Sequence, residues 1–115
     1  MFREIEVKEF PYDDNYLVYD SGGIFDKKNN KFVNYTRMRN GTTKVEISGK
    51  LYDVHKVVAL TFLPNPNNYE CINHKDTVKS HNFIENLEWC TKKYALNYKR
   101  YLNDEITKEE LESYL

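Results

Sequence analysis

The sequence predicts an α+β fold: a small N-terminal antiparallel β-sheet of hairpins, a helix, a strand–loop–strand–helix unit and a short C-terminal helix. Three observations predict it. β-rich segments separated by turn residues fill residues 15–52. Apolar residues at helical spacing begin at Val54. Two short β-rich segments then enclose a polar loop ahead of a further helical stretch. The chain has 115 residues, 40% of them hydrophobic, which is enough for one domain with a modest core.

The hairpins are predicted from strand formers that alternate with turn formers. Residues 16–19 are β-rich and end at the Ser-Gly-Gly sequence of residues 21–23. Residues 32–38 and 42–47 are expected to pair as a hairpin across Asn40-Gly41, because both of these residues tolerate the positive φ of a type I′ turn.

The first helix is predicted from its cap and its spacing. Asp53 can cap it, since a carboxylate accepts hydrogen bonds from the first free backbone N–H groups. Apolar residues at helical spacing follow as far as Phe62, and Pro64 and Pro66 then stop the helix.

Two more helices are predicted after the second pair of strands. Residues 70–73 and 87–90 are the expected strands, and residues 75–82 are the polar loop between them. Thr91 is a plausible cap for a helix from Lys92 to about residue 101, and a last helix is expected over residues 107–115, where a Thr and a Glu have capping-box spacing.

The charge is divided unevenly along the chain. Residues 1–26 carry a net charge of −5, residues 27–100 of +8 and residues 101–115 of −4, for a total of −1. A basic middle is compatible with a nucleic-acid-binding centre, although a solvated surface of uneven charge gives the same pattern.

Several classes of protein are disfavoured. No apolar run approaches the length of a membrane span, so no membrane partner is expected. The charged N-terminus is unlike a signal peptide, and Cys71 and Cys90 are too few for a disulfide framework. A reducing, cytoplasmic setting is therefore expected.

The most specific part of the chain is residues 55–91, in three blocks: HKVVALTFLPNP, NHKDTVKSHN and ENLEWCT. In this order and spacing they resemble the HNH endonuclease family, in the branch typical of phage and intron homing nucleases. The segment YLVYDSGGI of residues 16–24 is similar to an upstream element of the same branch. The resemblance covers roughly residues 15–95 and suggests a phage or phage-like origin.

The resemblance implies a ββα-metal core in which one His activates water to attack a DNA phosphodiester bond beside one divalent metal ion. His74 matches the general base, since an imidazole can accept a proton near neutral pH. Asn73 matches the first metal ligand, with Mg²⁺ or Mn²⁺ as the expected ion. Asn86 matches the middle Asn, which braces the loop, and Asn82 is the second candidate for that role.

The chain departs from the family pattern at several positions. The second metal ligand is expected six residues after Trp89, which is Ala95, and alanine has no atom to offer a metal. Thr77 and Val78 stand where Gly and Asn are usual, and His81 stands where Asn is usual. Weak or absent activity is therefore an expectation of the sequence.

Other candidate residues have both functional and structural readings. His81 lies in the loop and is a candidate to bind phosphate or metal, and Asp76 is a further candidate site residue there. His55 is expected at the helix start, hydrogen-bonded to the following loop. Zinc at Cys71, His74, His81 or Cys90 is disfavoured, because free cysteines commonly act as small apolar residues. The expected DNA-phosphate contacts, which could equally be solvated strand edges, are Arg37, Arg39, Lys44, Lys75, Lys79, Lys92 and Lys93.

Two functions compete at this point. The first is a phage-type HNH endonuclease that nicks double-stranded DNA. The second is a catalytically degenerate binding module, which binds DNA through the basic middle or a host or phage protein through the acidic ends. The expected division of the chain is an acidic extension over residues 1–14, the β-sheet region over 15–52, the HNH core over 53–101 and an acidic helix over 102–115. The side of that helix that carries Leu111, Tyr114 and Leu115 could pack on the domain or on a partner.

Overall fold

A computed structural model describes residues 4–115 of the chain. Within them, three antiparallel sheets and three helices follow one another in the order that the sequence predicts, which confirms the α+β class. The first sheet contains β1 (Val7–Phe10), β2 (Asp13–Tyr19), β3 (Ile24–Asp26) and β4 (Lys31–Phe32), and the second contains β5 (Thr36–Arg37), β6 (Thr43–Ile47) and β7 (Lys50–Asp53). Helix α1 (Val54–Phe62) precedes a two-stranded sheet of β8 (Cys71–His74) and β9 (Leu87–Cys90), and α2 (Lys92–Leu102) and α3 (Lys108–Glu112) complete the chain.

The N-terminal segment contributes a strand that the sequence does not predict. Residues 7–10, expected to lie in an acidic extension, form β1 and pair antiparallel with β2, with Val7 opposite Tyr19. Three of the four residues of β1 are exposed, so the strand lacks an alternating pattern. Phe10 is the exception, with 1% of its surface exposed, and its ring packs edge-on against Tyr52 of the second sheet.

The turn between β5 and β6 differs from the prediction. Asn40 does not adopt the positive φ of a type I′ turn; only Gly41 does, at 90°, and its N–H donates to the carbonyl of Met38 at 3.0 Å. The Asn40 side chain instead accepts from the N–H of Thr42, which closes the turn. The paired positive φ values occur at Ser48 (49°) and Gly49 (83°), so the tight two-residue turn joins β6 to β7.

Helix α1 begins after Asp53, as predicted, but the predicted carboxylate cap is wrong. The side chain of Asp53 makes no capping hydrogen bond and instead accepts from Lys44 Nζ at 2.7 Å. Lys44 and Asp53 are direct cross-strand partners on β6 and β7, so the ammonium group reaches the carboxylate more readily than the helix N–H groups do. The apolar face of α1 is fully buried and centres a core with the first two sheets.

The C-terminal helices form a second, smaller core against the β8–β9 sheet. Thr91 and Thr107 cap α2 and α3 by accepting backbone N–H bonds at 3.1 Å, which confirms both predicted caps. The last helix is shorter than the predicted 107–115, yet Leu111 is 2% exposed and Tyr114 packs beside it, so this side of the tail lies on the domain. The longest helix of residues 4–115 has 11 residues, and none there is long and apolar enough to cross a bilayer.

Candidate active site

The strands β8 and β9 form a ribbon that lies between α1 and α2. Its register pairs Asn73 with Glu88 and His74 with Leu87. Because side chains alternate along a strand, Asn73 and Glu88 point toward α2 while His74 points toward α1. A cleft of about 380 Å³ opens at the exposed edge of β8, and its lining comprises Ile72, Asn73, His74, Thr77, Lys79, Ala95, Tyr98 and Lys99. The predicted base and the predicted metal ligand therefore share one cleft.

His74 is held by a chain of hydrogen bonds that fixes its ring. Its Nε2 lies 2.8 Å from Asn82 Oδ1, and Asn82 Nδ2 donates to Thr43 Oγ1 at 2.9 Å. Asn82 is buried, and its amide lies between the Thr43 hydroxyl and the imidazole, with the carbonyl oxygen toward the ring. A carbonyl oxygen can only accept, so in the neutral ring Nε2 carries the proton and Nδ1 keeps its lone pair. The sequence singles out Asn82 only as a loop brace and misses Thr43, which is 39 residues away.

His55 lies beside His74, and its predicted role is corrected. No hydrogen bond joins it to the following loop. Its ring packs edge-on against the His74 ring at a centroid distance of 5.1 Å, and its Nδ1 has no hydrogen-bond partner within residues 4–115. Burial, reinforced by the neighbouring His74, lowers the pKa of His55 to about 4. His55 therefore stays uncharged near neutral pH, and its ring packs against that of His74.

Asn86 braces the loop that follows β8. Its Nδ2 donates to Asp76 Oδ1 at 2.9 Å and to the carbonyl of His81 at 2.8 Å, while its Oδ1 accepts from the N–H of Asp76 at 2.9 Å. With 4% of its surface exposed, Asn86 is buried beneath the loop and faces none of the solvent in the cleft. These three bonds hold both sides of the loop at a fixed separation.

Asp76 and His81 complete the same network at the surface. Asp76 Oδ2 lies 2.6 Å from His81 Nδ1, and Asp76 Oδ1 accepts from the N–H of Val78 at 2.8 Å. Partial burial alone would raise the pKa of Asp76, but the hydrogen bonds from His81, Val78 and Asn86 outweigh it and lower the pKa to about 2. The carboxylate is thus ionised and engaged inside the loop.

Thr77 shows why glycine is usual at its position. Its N–H donates to the carbonyl of His74 at 2.9 Å, and its φ is 66°, in the left-handed region. A β-branched residue is strained there, at a cost of about 1–2 kcal/mol. The turn keeps its shape without the glycine, because Asn86 and Asp76 hold the loop from both sides.

The N-terminal sheet supports Asn82 from behind. Gly22 has a φ of 99°, and a Cβ placed on it would lie 3.0 Å from the backbone oxygen of Asn82. The neighbouring carbonyl of Asp20 accepts from the N–H of Ile84 at 2.9 Å. The turn after β2 therefore packs directly against the residue that orients His74, which gives the upstream YLVYDSGGI segment a structural role in the site.

The side of the cleft that carries Asn73 differs from the family pattern. Asn73 Nδ2 donates to Glu88 Oε2 at 2.8 Å, and the Tyr94 hydroxyl donates to the same oxygen at 3.2 Å. Ala95 lines the cleft and presents only a methyl group. The amide oxygen of Asn73 is a suitable donor for a hard divalent cation, so the two-ligand set that the resemblance implies is half present. Glu88 is absent from the predicted site residues, although it shares the strand face of Cys90, which is buried against α2.

The two cysteines behave as core residues. Cys71 and Cys90 are cross-strand partners in the second core, and neither forms a disulfide. Burial raises the pKa of Cys90 to about 12, so this thiol stays protonated in the core. Within residues 4–115 no three Cys, His, Asp or Glu side chains gather into a metal-binding cluster.

The predicted DNA-contacting cations fall into two groups. Arg37 and Arg39 are exposed on and beside β5, while Lys75 and Lys79 are exposed on the loop after β8. The loop and the β5–β6 turn are adjacent, because the Lys79 side chain lies 3.9 Å from the position of a Cβ on Gly41.

The other three predicted cations are placed differently. Lys44 is engaged by Asp53, and Lys93 Nζ lies 4.5 Å from the centre of the Tyr114 ring. Lys92 is exposed in the first turn of α2. Lys99, a further α2 cation that the sequence places near DNA phosphates, lines the cleft itself.

Comparison with known proteins identifies viral relatives. No family model matches the chain. It is 42% identical over 83 residues to an uncharacterised HNH endonuclease, L245, of Acanthamoeba polyphaga mimivirus, a match that covers 69% of this chain and 25% of that protein. It is 28% identical over 86 residues to DNA endonuclease I-HmuI of Bacillus phage SP01, covering 71% of this chain and 49% of the phage protein. The chain thus spans from a quarter to about half the length of these relatives.

The fold has a solved counterpart. A structure described as DNA binding and cleavage by the HNH homing endonuclease I-HmuI matches with a TM-score of 0.71 at 23% identity, and the match covers 94% of this chain and 64% of that chain. The fold is therefore that of an HNH homing endonuclease. Together with the relatives, this match supports placing the chain in the HNH family.

Proposed function

We propose that this chain is a DNA endonuclease of the HNH type, which nicks duplex DNA with a divalent metal ion and with His74 as general base. The observation that carries the proposal is the chain of hydrogen bonds from Thr43 through Asn82 to His74, which leaves Nδ1 of a cleft-lining imidazole as a proton acceptor. The DNA-cleaving relatives support the choice of substrate.

His74 takes one proton from the water molecule that attacks the phosphorus atom of the scissile phosphate. As the new phosphorus–oxygen bond forms, the bond to the leaving oxygen breaks, and the imidazolium hydrogen-bonds through Nε2 to Asn82 Oδ1. Because Asn82 is itself fixed by Thr43, the ring needs no reorientation during the reaction. Such a positioned base contributes about 10²–10⁴ to the rate.

Asn73 is the residue of the family ligand set that would hold the metal ion, with phosphate oxygens of DNA completing the coordination. The ion, Mg²⁺ or Mn²⁺, supplies stabilisation of the negative charge on the phosphate and on the leaving oxygen. Lys79 and Lys99, which line the cleft, are suited to contact the phosphates on either side. Arg37, Arg39 and Lys75 extend this basic surface along the duplex.

The alternative is a binding module that keeps the fold without cleavage. One observation favours it: Ala95 removes the second ligand position and leaves a neutral amide in the first. A site of that kind holds Mg²⁺ weakly, because this ion usually binds through carboxylate and phosphate oxygens. The module would bind DNA through the same basic surface, or a host or phage protein through its acidic ends.

Nicking of supercoiled plasmid, measured with Mg²⁺ and with Mn²⁺, tests the proposal. The wild-type chain is expected to give the open circular form, and His74→Ala is expected to slow the reaction by about 10²-fold or more. His81→Ala is the matched control, since this exposed histidine of the same loop should leave the rate within a few fold of wild type.

Each other outcome selects another function. Duplex binding in a gel shift without nicking under either metal would identify the DNA-binding module. Neither binding nor nicking would point to a protein partner and to the acidic ends. Nicking that survives in His74→Ala would contradict the assigned base.

A further inference from the structure

Glu88 occupies an unexpected position beside the metal side of the cleft. It is the direct cross-strand partner of Asn73, and both side chains lie on the ribbon face that meets α2. Its Oε2 accepts from Asn73 Nδ2 at 2.8 Å and from the Tyr94 hydroxyl at 3.2 Å. Within residues 4–115, the carboxylate is thus held in place by two uncharged donors and forms no salt bridge.

The separation of these two side chains matches that of two metal ligands. A half-turn of the Asn73 amide about its Cβ–Cγ bond exchanges Oδ1 and Nδ2, which places the amide oxygen 2.8 Å from Glu88 Oε2. Adjacent oxygens in an octahedral Mg²⁺ shell, each 2.0–2.1 Å from the ion, are about 2.9 Å apart. The ribbon therefore holds an oxygen pair at the spacing of neighbouring ligands without any backbone movement.

The negative charge of Glu88 can compensate for the metal ligand that is missing at Ala95. A single neutral amide is a poor site for a hard dication, whereas one carboxylate beside the amide supplies the negative charge that such ions require. Ala95 also leaves the space of a side chain open in the cleft, so water or a phosphate oxygen can approach the Asn73 end of the pair.

We propose that Glu88 and Asn73 together form the divalent-metal site of this chain, with Glu88 replacing the ligand that Ala95 lacks. This inference rests on the proposed function for the location of the metal. In the metal-free protein the carboxylate binds the NH₂ group of Asn73, and in the metal-bound protein the amide turns its oxygen to the ion. Only the Asn73 side chain changes its orientation between the two states.

Binding of Mn²⁺, followed by electron paramagnetic resonance in the absence and in the presence of a DNA duplex, tests the site. Glu88→Gln is the key variant, because glutamine keeps the shape and can still accept from Asn73 but carries no charge. It is expected to weaken Mn²⁺ binding by at least about tenfold under both conditions. Glu88→Asp keeps the charge and should retain part of the affinity. Glu46→Gln, an exposed glutamate on β6, is the control and should bind as wild type does.

The outcomes separate this inference from the proposed function. Mn²⁺ affinity within twofold of wild type in Glu88→Gln overturns the site, even if the wild-type chain nicks DNA. Absence of Mn²⁺ binding by the wild-type chain, with and without duplex, overturns it as well. Loss of binding in Glu88→Gln with retained circular dichroism supports it, even if plasmid nicking fails and the chain proves to be a binding module.

Discussion

On the α1 side of the ribbon, His74 is held by Asn82, Asn82 by Thr43, and the turn at Gly22 packs behind them. On the α2 side, Asn73 faces Glu88 and a methyl group stands where a metal ligand is expected. We call these two regions the base side and the metal side. The base side is built from three separate segments of the chain that fix one orientation. The metal side consists of one cross-strand pair with a choice of two orientations.

The difference between the base side and the metal side indicates which part of the site tolerates substitution. A base held by buried hydrogen bonds loses its geometry when any member is removed, because each buried polar group left without a partner costs about 1–3 kcal/mol. A metal site that is completed by water and phosphate can exchange one ligand for another with little change to the fold. Ala95 is a substitution of the second kind.

The largest effect on stability is expected from Gly22→Ala, which changes the packing behind Asn82 on the base side. The new Cβ would combine a φ of 99° with a 3.0 Å contact to the Asn82 backbone. We expect a loss of about 2–3 kcal/mol in the free energy of unfolding. Displacement of Asn82 should also slow nicking by about tenfold. Urea denaturation and plasmid nicking measure the two effects.

Gly49→Ala is the matched control for Gly22→Ala. Gly49 also has a positive φ, 83°, but nothing lies within 4 Å of a Cβ placed there. It should therefore show only the backbone cost of about 1 kcal/mol and normal nicking. Equal losses of stability and equal nicking rates in the two variants would show that the packing of Gly22 on Asn82 does not support the base.

The second largest effect is expected on metal binding at the metal side. Ala95→Asn supplies an amide oxygen on the face of α2 that lines the cleft, and we expect Mn²⁺ affinity to rise by about tenfold and nicking to accelerate. Leu96→Asn is the control, because Leu96 is 70% exposed at the next position of the same helix and the substitution introduces the same residue type. If both variants bind Mn²⁺ as wild type does, Ala95 lies outside the metal site of this chain.

Much of the fold follows from local sequence, and the exceptions have physical reasons. The turn at Ser48-Gly49 takes the two positive φ values, while Asn40 uses its side chain as a hydrogen-bond acceptor instead. Asp53 is diverted from the helix cap by Lys44, a cross-strand neighbour whose register the local sequence does not specify. Strand β1 carries only one buried residue and so has no alternation to detect.

The site, like the fold, contains residues that the local sequence does not predict. His74 and Asn73 are marked by adjacent motif residues, and the described geometry puts both in one cleft. Thr43 carries no local signal, because it reaches the site through a tertiary contact 39 residues along the chain. Glu88 lies within the ENLEWCT block, but its contact with Asn73, 15 residues away, appears only when the two strands pair. The Thr77 substitution is visible in the sequence, but its strained φ of 66° is a property of the folded loop.

The smallest expected effect is a pH dependence that comes from His55, which packs on the base. Its pKa is lowered from 6.5 to about 4 in the folded chain, so below pH 6.5 the unfolded chain binds a proton that the folded chain does not. Stability should fall as the pH falls from 6.5 toward 4. Between pH 7.5 and 5.5 we expect His55 to account for a loss of about 1 kcal/mol.

Urea denaturation at the two pH values measures this loss. His55→Gln should reduce this loss of stability. His81→Gln changes an exposed histidine, so this variant should lose more stability between the two pH values than His55→Gln does. An unchanged pH dependence in His55→Gln would mean that His55 is not the buried neutral group.

The most direct test of the base side is the protonation state of the His74 ring in the free protein. Nitrogen-15 NMR at pH 8 distinguishes the two ring nitrogens, and His74→Ala assigns the signals. The hydrogen bond to Asn82 Oδ1 predicts a proton on Nε2 and a bare Nδ1, with this preference lost in Asn82→Ala. A proton on Nδ1 of the wild-type ring would contradict the assignment of His74 as a base prepared by Asn82.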